Sequence, residues 1–295
     1  MLRWRLLMSA VLGPAVIALF AADHRLGPTG IILFAFCLLA CVRCVFELLD
    51  LLAVRSLRPR PVVCYVMALL IVASGWTHLV APSASANVLA SLGWIGGACA
   101  AAFVTLLAVE AAAFRDPGRS MESLGSGLVT VLYGGLLLAV TAQLRWFPSP
   151  ETGYFALASM IICVKCGDTF AYTFGRLWGK RKMAPKLSPG KTWMGLVGAV
   201  AGSTVGGWLW LTFGGGLFAA APKANVLLIV IAYSASLGLV GLVGDLCESL
   251  IKRDVGKKDA AALMPGFGGL LDLFDSPLFA GPFALAWWNL LPPAA

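Results

Sequence analysis

Charge is scarce in this sequence. Of its 295 residues only 12% are Asp, Glu, Lys or Arg, about half the 25% carried by an ordinary globular domain. Apolar residues make up 60% and the mean hydropathy is +0.88. A soluble chain of that composition would expose broad apolar patches and aggregate. A soluble enzyme, a nucleic-acid-binding domain and a disordered chain are thereby excluded. Histidine is nearly missing, with only His24 and His78. The Cys-x-x-Cys spacings at Cys41/Cys44 and Cys163/Cys166 therefore lack the nearby His, or the second loop-borne pair, that a zinc or redox site needs. Those four and Cys37, Cys64, Cys99 and Cys247 lie mostly inside apolar runs and read as small packing residues. No soluble domain fits between the apolar runs, and no internal repeat is visible. Pro189-Gly190-Lys191-Thr192 imitates the end of a Walker A loop, but the first glycine of that pattern falls on Pro185 and no strand is expected before it.

What is abundant is membrane-compatible sequence. A helix needs about 20 apolar residues to cross a bilayer, so the apolar content supplies roughly nine spans. Nine apolar segments are readable, at about 6–22, 29–48, 62–79, 87–109, 124–143, 154–174, 194–213, 225–245 and 270–291. The first follows Arg3 and Arg5 and is longer than the apolar core of a signal peptide. It exits at Asp23-His24-Arg25 without a small-x-small cleavage site, so it reads as an uncleaved span. The expected fold is an all-α polytopic membrane bundle of about nine transmembrane helices. An N-terminal transmembrane bundle (1–150) precedes a region carrying the chemistry (151–295).

The net charge of +8 is explained by topology. With the N-terminus in the cytoplasm, eighteen of the 22 cations fall on cytoplasmic segments. Arg25, Arg145 and Lys223 fall outside, and Lys165 lies within a span. This bias matches the positive-inside rule and puts the C-terminus outside. The chain is expected to be an integral multi-pass protein, of the inner membrane if bacterial. Its surroundings are the lipid bilayer, with no nucleic-acid partner.

Ionisable groups inside spans are costly and are functional candidates by default. The sixth segment carries Lys165 and Asp168, one helical turn apart, with Tyr172 on the same face. The eighth runs out through Asp245, Glu248, Ser249 and Lys252, whose offsets of 0, 3, 4 and 7 place two acids, a hydroxyl and a cation on one stripe. The ninth opens with Gly268, Gly269, Asp272 and Asp275. Carboxylates gathered at one membrane level repel unless a cation holds them. Hard oxygen ligands suit Mg²⁺, which leaves positions for phosphate oxygens. Lys252, Arg253, Lys257 and Lys258, with six more cations at 175–192, suit the charge of a polyphosphate during phosphoryl or nucleotidyl transfer. Gly266, Gly268 and Gly269 permit close backbone approach beside a helix start.

These residues resemble the phosphatidate cytidylyltransferase (CDP-diacylglycerol synthase) family. Its motif runs Ser-x-x-Lys-Arg, four residues, Lys-Asp, then Pro-Gly-His-Gly-Gly, two residues, Asp-Arg-x-Asp. Here Ser249-Leu250-Ile251-Lys252-Arg253, Lys258-Asp259, Pro265-Gly266-Phe267-Gly268-Gly269 and Asp272-Leu273-Phe274-Asp275 stand at matching spacing. Gly244-Asp245-x-x-Glu248 and the stretches Asp168–Lys180 and Leu187–Trp193 also match. The resemblance covers about 165–280. It implies a membrane-embedded nucleotidyltransferase of phospholipid biosynthesis, with CTP and phosphatidic acid giving CDP-diacylglycerol and pyrophosphate. By position, Asp245, Asp272 and Asp275 would hold Mg²⁺, and Lys252, Arg253 and Lys258 would contact phosphates. Asp168, Tyr172, Ser188, Lys191, Ser249, Gly268 and Gly269 would line the substrate site. Glu248 and Asp168 leave room for a second, monovalent cation. Such proteins are often homodimers, though no motif here fixes assembly. Three positions depart from the pattern: Phe267 replaces its His, Leu273 its Arg and Met194 its Glu. Lys165 is placed to restore some of the lost charge. Two other classes fit the same residues: a non-catalytic relative that binds lipid or a partner, and a transporter built on Lys165 and Asp168.

Overall fold

The computed structural model describes residues 2–55, 57–79, 88–115, 117–147, 149–218, 223–261 and 268–294. Among them the fold is a helical membrane bundle, and each of the nine apolar segments carries a helix. These are α1 (Leu2–Arg25), α2 (Ile31–Ala53), α3 (Pro61–Ser74), α4 (Val88–Ala112), the rod formed by α5 (Ser120–Val131) and α6 (Leu137–Ala142), α7 (Gly153–Trp178), α8 (Trp193–Phe213), α9 (Leu227–Asp254) and α10 (Leu270–Leu290). Six of these rods are long and apolar enough to cross a bilayer: α2, α4, α5–α6, α7, α8 and α9. With 14 residues, α3 rises only about 21 Å, and the short helical turn Thr77–Leu79 follows it. Inside α10 lie Pro277 and Pro282. Among the described residues, α1, α3 and α10 are not among the six.

Helix α2 is apolar on nearly every side, as burial in lipid favours. On α2, Leu33, Cys37, Cys41, Cys44, Leu48 and Leu51 are buried while Leu39, Val42 and Phe46 are exposed on the opposite face. Apolarity alone therefore does not mark its inner face. Between α5 and α6 the backbone widens into a π-turn, Leu132–Leu136. A Cβ at Gly135 in that turn would lie 3.0 Å from the Ala68 Cα, so the glycine lets the rod press against α3.

The chain divides into two compact units. The first comprises residues 1–143 and 254–273, the second 144–253 and 274–295. Within the second, α7 packs along α8 on a stripe of small residues four apart, Gly198, Gly202 and Gly206, the arrangement that brings membrane helices into close contact. A Cβ at Gly198 would sit 2.5 Å from the Phe170 carbonyl oxygen, and one at Gly202 would sit 2.6 Å from that of Cys166. A buried polar knot forms where Tyr233 meets Ser159 (2.6 Å) and accepts from the Trp288 indole (3.3 Å), tying α9 to α7 and α10.

One departure from the all-helical expectation follows α7. Lys182–Ala184 (β1) and Ser188–Thr192 (β2) pair antiparallel as a short ribbon. A strand thus precedes the Walker-like stretch after all. Even so, Ser188–Thr192 is itself extended and paired to β1, not wrapped as a phosphate loop. Thr192 then starts α8, its hydroxyl accepting from the Gly195 N–H (3.0 Å).

Candidate functional site

The end of α9 keeps the spacing read from sequence. Ser249 donates to Asp245 Oδ1 at 3.4 Å, and Lys252 Nζ donates to Glu248 Oε2, both across one helical turn. Glu248 is 1% exposed and Lys252 8%, so this ion pair is held out of water. Next to it Gly244 lets α10 come close: a Cβ there would lie 2.7 Å from the backbone oxygen of Asp275. The result is a trio of acids, Asp245, Glu248 and Asp275, with one carboxylate oxygen of each within 4.8 Å of the others. Asp168 lies within Coulombic reach of Asp245 and Asp275. It pairs with Lys165 at 3.5 Å, both about two-fifths exposed.

The β-ribbon delivers a further cation to this cluster. Lys191, on β2, places Nζ 3.0 Å from Asp245 Oδ2 and also donates to the Leu242 carbonyl (3.1 Å). Arg253 Nε donates to the Leu187 carbonyl at 3.3 Å, fastening the ribbon's turn to the end of α9. Polar Pro- and Gly-containing sequence thus becomes an ordered strap because α9 supplies its partners. Ser188 is half-buried at the start of β2. Tyr172 is 57% exposed, and its hydroxyl accepts from Arg176 Nη1 (2.9 Å).

The remaining candidate residues belong to the first unit. Lys258 is exposed there. Gly268 has a left-handed φ of 89°, a conformation that favours glycine, as the chain turns into α10. Asp272 Oδ2 accepts the Gly269 N–H (2.7 Å) and the Ala260 N–H (3.1 Å). Its carboxylate therefore secures the helix start and ties the 254–261 segment to it. Pro265, Gly266 and Phe267 lie outside the described residues.

Asp245, Glu248 and Asp275 fit a divalent ion. Oxygens around Mg²⁺ sit about 2.0–2.1 Å from the metal and so up to about 4.2 Å apart. The trio is within a side-chain rotation of that spacing, and hard carboxylate oxygens are the donors Mg²⁺ prefers.

The model of a cytidylyltransferase family matches residues 3–291. The chain belongs to the cytidylyltransferase family. Among its relatives, a phosphatidate cytidylyltransferase of Haemophilus influenzae is 39% identical over 134 residues, 45% of this chain and 46% of that protein. One of Pseudomonas aeruginosa is 34% identical over 179 residues, 58% and 61% of the two chains. The uncharacterized protein YnbB of Escherichia coli is 34% identical over 161 residues, 52% and 51%. The chain spans about half the length of the curated relatives it matches.

Two features of this cytidylyltransferase-family chain escape sequence reasoning. Glu248 reads as part of a stripe and a spare carboxylate, yet it stands in the acid cluster itself. Glu47 is inconspicuous among the apolar residues of α2. It is 0% exposed and accepts from Leu270 N–H (3.0 Å) and Leu271 N–H (2.8 Å) at the start of α10. The available signal is a carboxylate among apolar residues near the end of the second segment, one turn from Arg43, which pairs with it at 2.8 Å.

Proposed function

We propose that this protein transfers the cytidylyl group of CTP to phosphatidic acid, giving CDP-diacylglycerol and pyrophosphate, as a Mg²⁺-dependent enzyme of phospholipid synthesis. The observation that carries the reading is the acid trio faced by Lys191 and Lys252 in a membrane chain of the cytidylyltransferase family. The names of the Haemophilus and Pseudomonas relatives support the substrates. In this reading a phosphate oxygen of the lipid attacks the α-phosphorus of CTP. The bond from that phosphorus to the bridging oxygen breaks, and pyrophosphate leaves.

Asp245 and Asp275, with Asp272 as a third candidate, would hold Mg²⁺; when bound it supplies Lewis-acid stabilisation to phosphate oxygens. Glu248, gathered with Asp245 and Asp275, would join the ligand set or, with Asp168, hold a second, monovalent ion. Lys191 and Lys252 balance the charge of the carboxylates and align them. Arg253 and Lys258 meet the polyphosphate, while Asp168, Tyr172, Ser188, Ser249, Gly268 and Gly269 line the approach. The cationic bias supports a cytoplasmic location for this end of the helices, with the N-terminus inside and the C-terminus outside. A headgroup can meet soluble CTP there while its acyl chains stay among the helices.

Purified protein given radiolabelled CTP, phosphatidic acid and Mg²⁺ should form lipid-soluble label and release pyrophosphate. Absence of both overturns the reading. Binding of either substrate without turnover would instead mark a non-catalytic relative, which the apolar residues Phe267, Leu273 and Met194 favour.

A further inference from the structure

From α2 the Glu47 carboxylate reaches the backbone of a helix more than 200 positions away in sequence. Oε1 accepts from Leu270 N–H and from Arg43 Nε, and Oε2 accepts from Leu271 N–H. A helix start leaves its first N–H groups without intrahelical partners and carries partial positive charge. A carboxylate taking two of those donors makes strong, charge-assisted bonds. The local chain is cut to fit this carboxylate. A Cβ on Gly269 would run into the Glu47 carboxylate oxygens, so any larger residue there must push that carboxylate aside. One residue earlier, Gly268 takes the left-handed turn after which the Leu270 and Leu271 N–H groups meet the carboxylate. The same first turn presents Asp272, whose Oδ2 takes the Gly269 and Ala260 N–H groups. Two acids thus share the opening turn of α10: Asp272 closes it from within, and Glu47 clamps it from α2.

We infer that Glu47 is a positioning residue for Asp272. By holding the Leu270 and Leu271 N–H groups it fixes the height and rotation of the first turn of α10, and through that turn the setting of the Asp272 carboxylate and the segment leading to Ala260. Arg43 supplies a countercharge to Glu47 and orients it. The consequence for turnover rests on the functional reading above; the clamp itself does not.

The test uses the full-length protein in detergent or nanodiscs and the variant Glu47→Gln. Its amide nitrogen would face a backbone donor in place of an acceptor. Hydrogen exchange at residues 269–272 should accelerate about tenfold or more, while exchange in α7 and α8 stays within about twofold of wild type. In the cytidylyl-transfer assay kcat should fall between about 10- and 100-fold, the range that small misplacement of a reacting group produces, with KM for CTP and lipid within about threefold. Gly269→Ala gives a second route, since it displaces the carboxylate while keeping Glu47 and Arg43; it should reproduce the local exchange change and the kcat loss. Unchanged exchange at 269–272 in both variants, acceleration spread over the whole chain, or wild-type kcat alongside local acceleration overturns the inference. Wild-type protein with no transfer activity overturns the functional reading instead, and the exchange arm still decides the clamp.

Discussion

In the first unit the carboxylates described at helix starts bind backbone, whereas in the second the clustered carboxylates face one another. Asp23, 0% exposed, accepts from the Ile32 and Leu33 N–H groups at the start of α2 (2.8 and 3.2 Å), while Glu47 and Asp272 do the same for α10. There the counter-charge is the partial positive end of a helix, which fixes where the carboxylate sits. In the second unit Asp245, Glu248 and Asp275 come together and are balanced by the lysines Lys191 and Lys252. Backbone donors can lock a carboxylate permanently. Like charges set close together store repulsion that an arriving cation relieves. The same residue type is therefore anchored to backbone in one unit and gathered against like charge in the other.

Substitutions can break that contrast, and the largest effect belongs to the cluster. Asp275→Asn removes a charge from the trio and keeps its shape. Radiolabelled CTP incorporation should fall by at least about 10²-fold, the scale of losing a group that acts on developing charge, while detergent-solubilised protein still elutes as folded. Next comes Lys252→Met, which takes the ammonium away from the buried Glu248 carboxylate. Breaking one side of a buried pair costs about 3–5 kcal/mol, so the thermal midpoint should drop sharply. The double variant Glu248→Gln/Lys252→Met should recover much of it.

Gly244→Ala sharpens the comparison by geometry alone. The added methyl meets the Asp275 backbone, so α10 must shift from α9. Activity should fall about tenfold or more, and the Mg²⁺ concentration giving half-maximal rate should rise. The smallest effect is expected at Asp23, which anchors the start of α2. Asp23→Asn keeps one acceptor and loses charge at a helix start, so stability should fall by about 0.3–2 kcal/mol with kcat for transfer within about twofold. A large loss of activity from Asp23→Asn would erase the contrast between the backbone-anchored Asp23 and the clustered acids.

Much of this is legible in the sequence, and the reason is periodicity. The apolar runs locate the helices, and the offsets in Asp245-x-x-Glu248-Ser249-x-x-Lys252 foretell the Ser249–Asp245 and Lys252–Glu248 contacts, because both are set by helical geometry within one element. The π-turn at Leu132–Leu136 and the ribbon at 182–192 stay hidden. Neither has a period long enough to read: the ribbon is two short strands, and its order depends on Lys191 and Leu187 meeting α9. Glu47 stays hidden for a different reason. Its partners are backbone N–H groups, which leave no mark in the residue alphabet, on a helix that begins at Leu270.

The first unit is discontinuous, joining residues 1–143 to 254–273, and that bears on how the protein is made. A ribosome delivers α2 to the membrane long before the later segment exists. Until it arrives, Glu47 has Arg43 to offset its charge but lacks the α10 donors. A chain halted before Leu270 therefore leaves Glu47 with Arg43 but without the two backbone donors that complete its contacts.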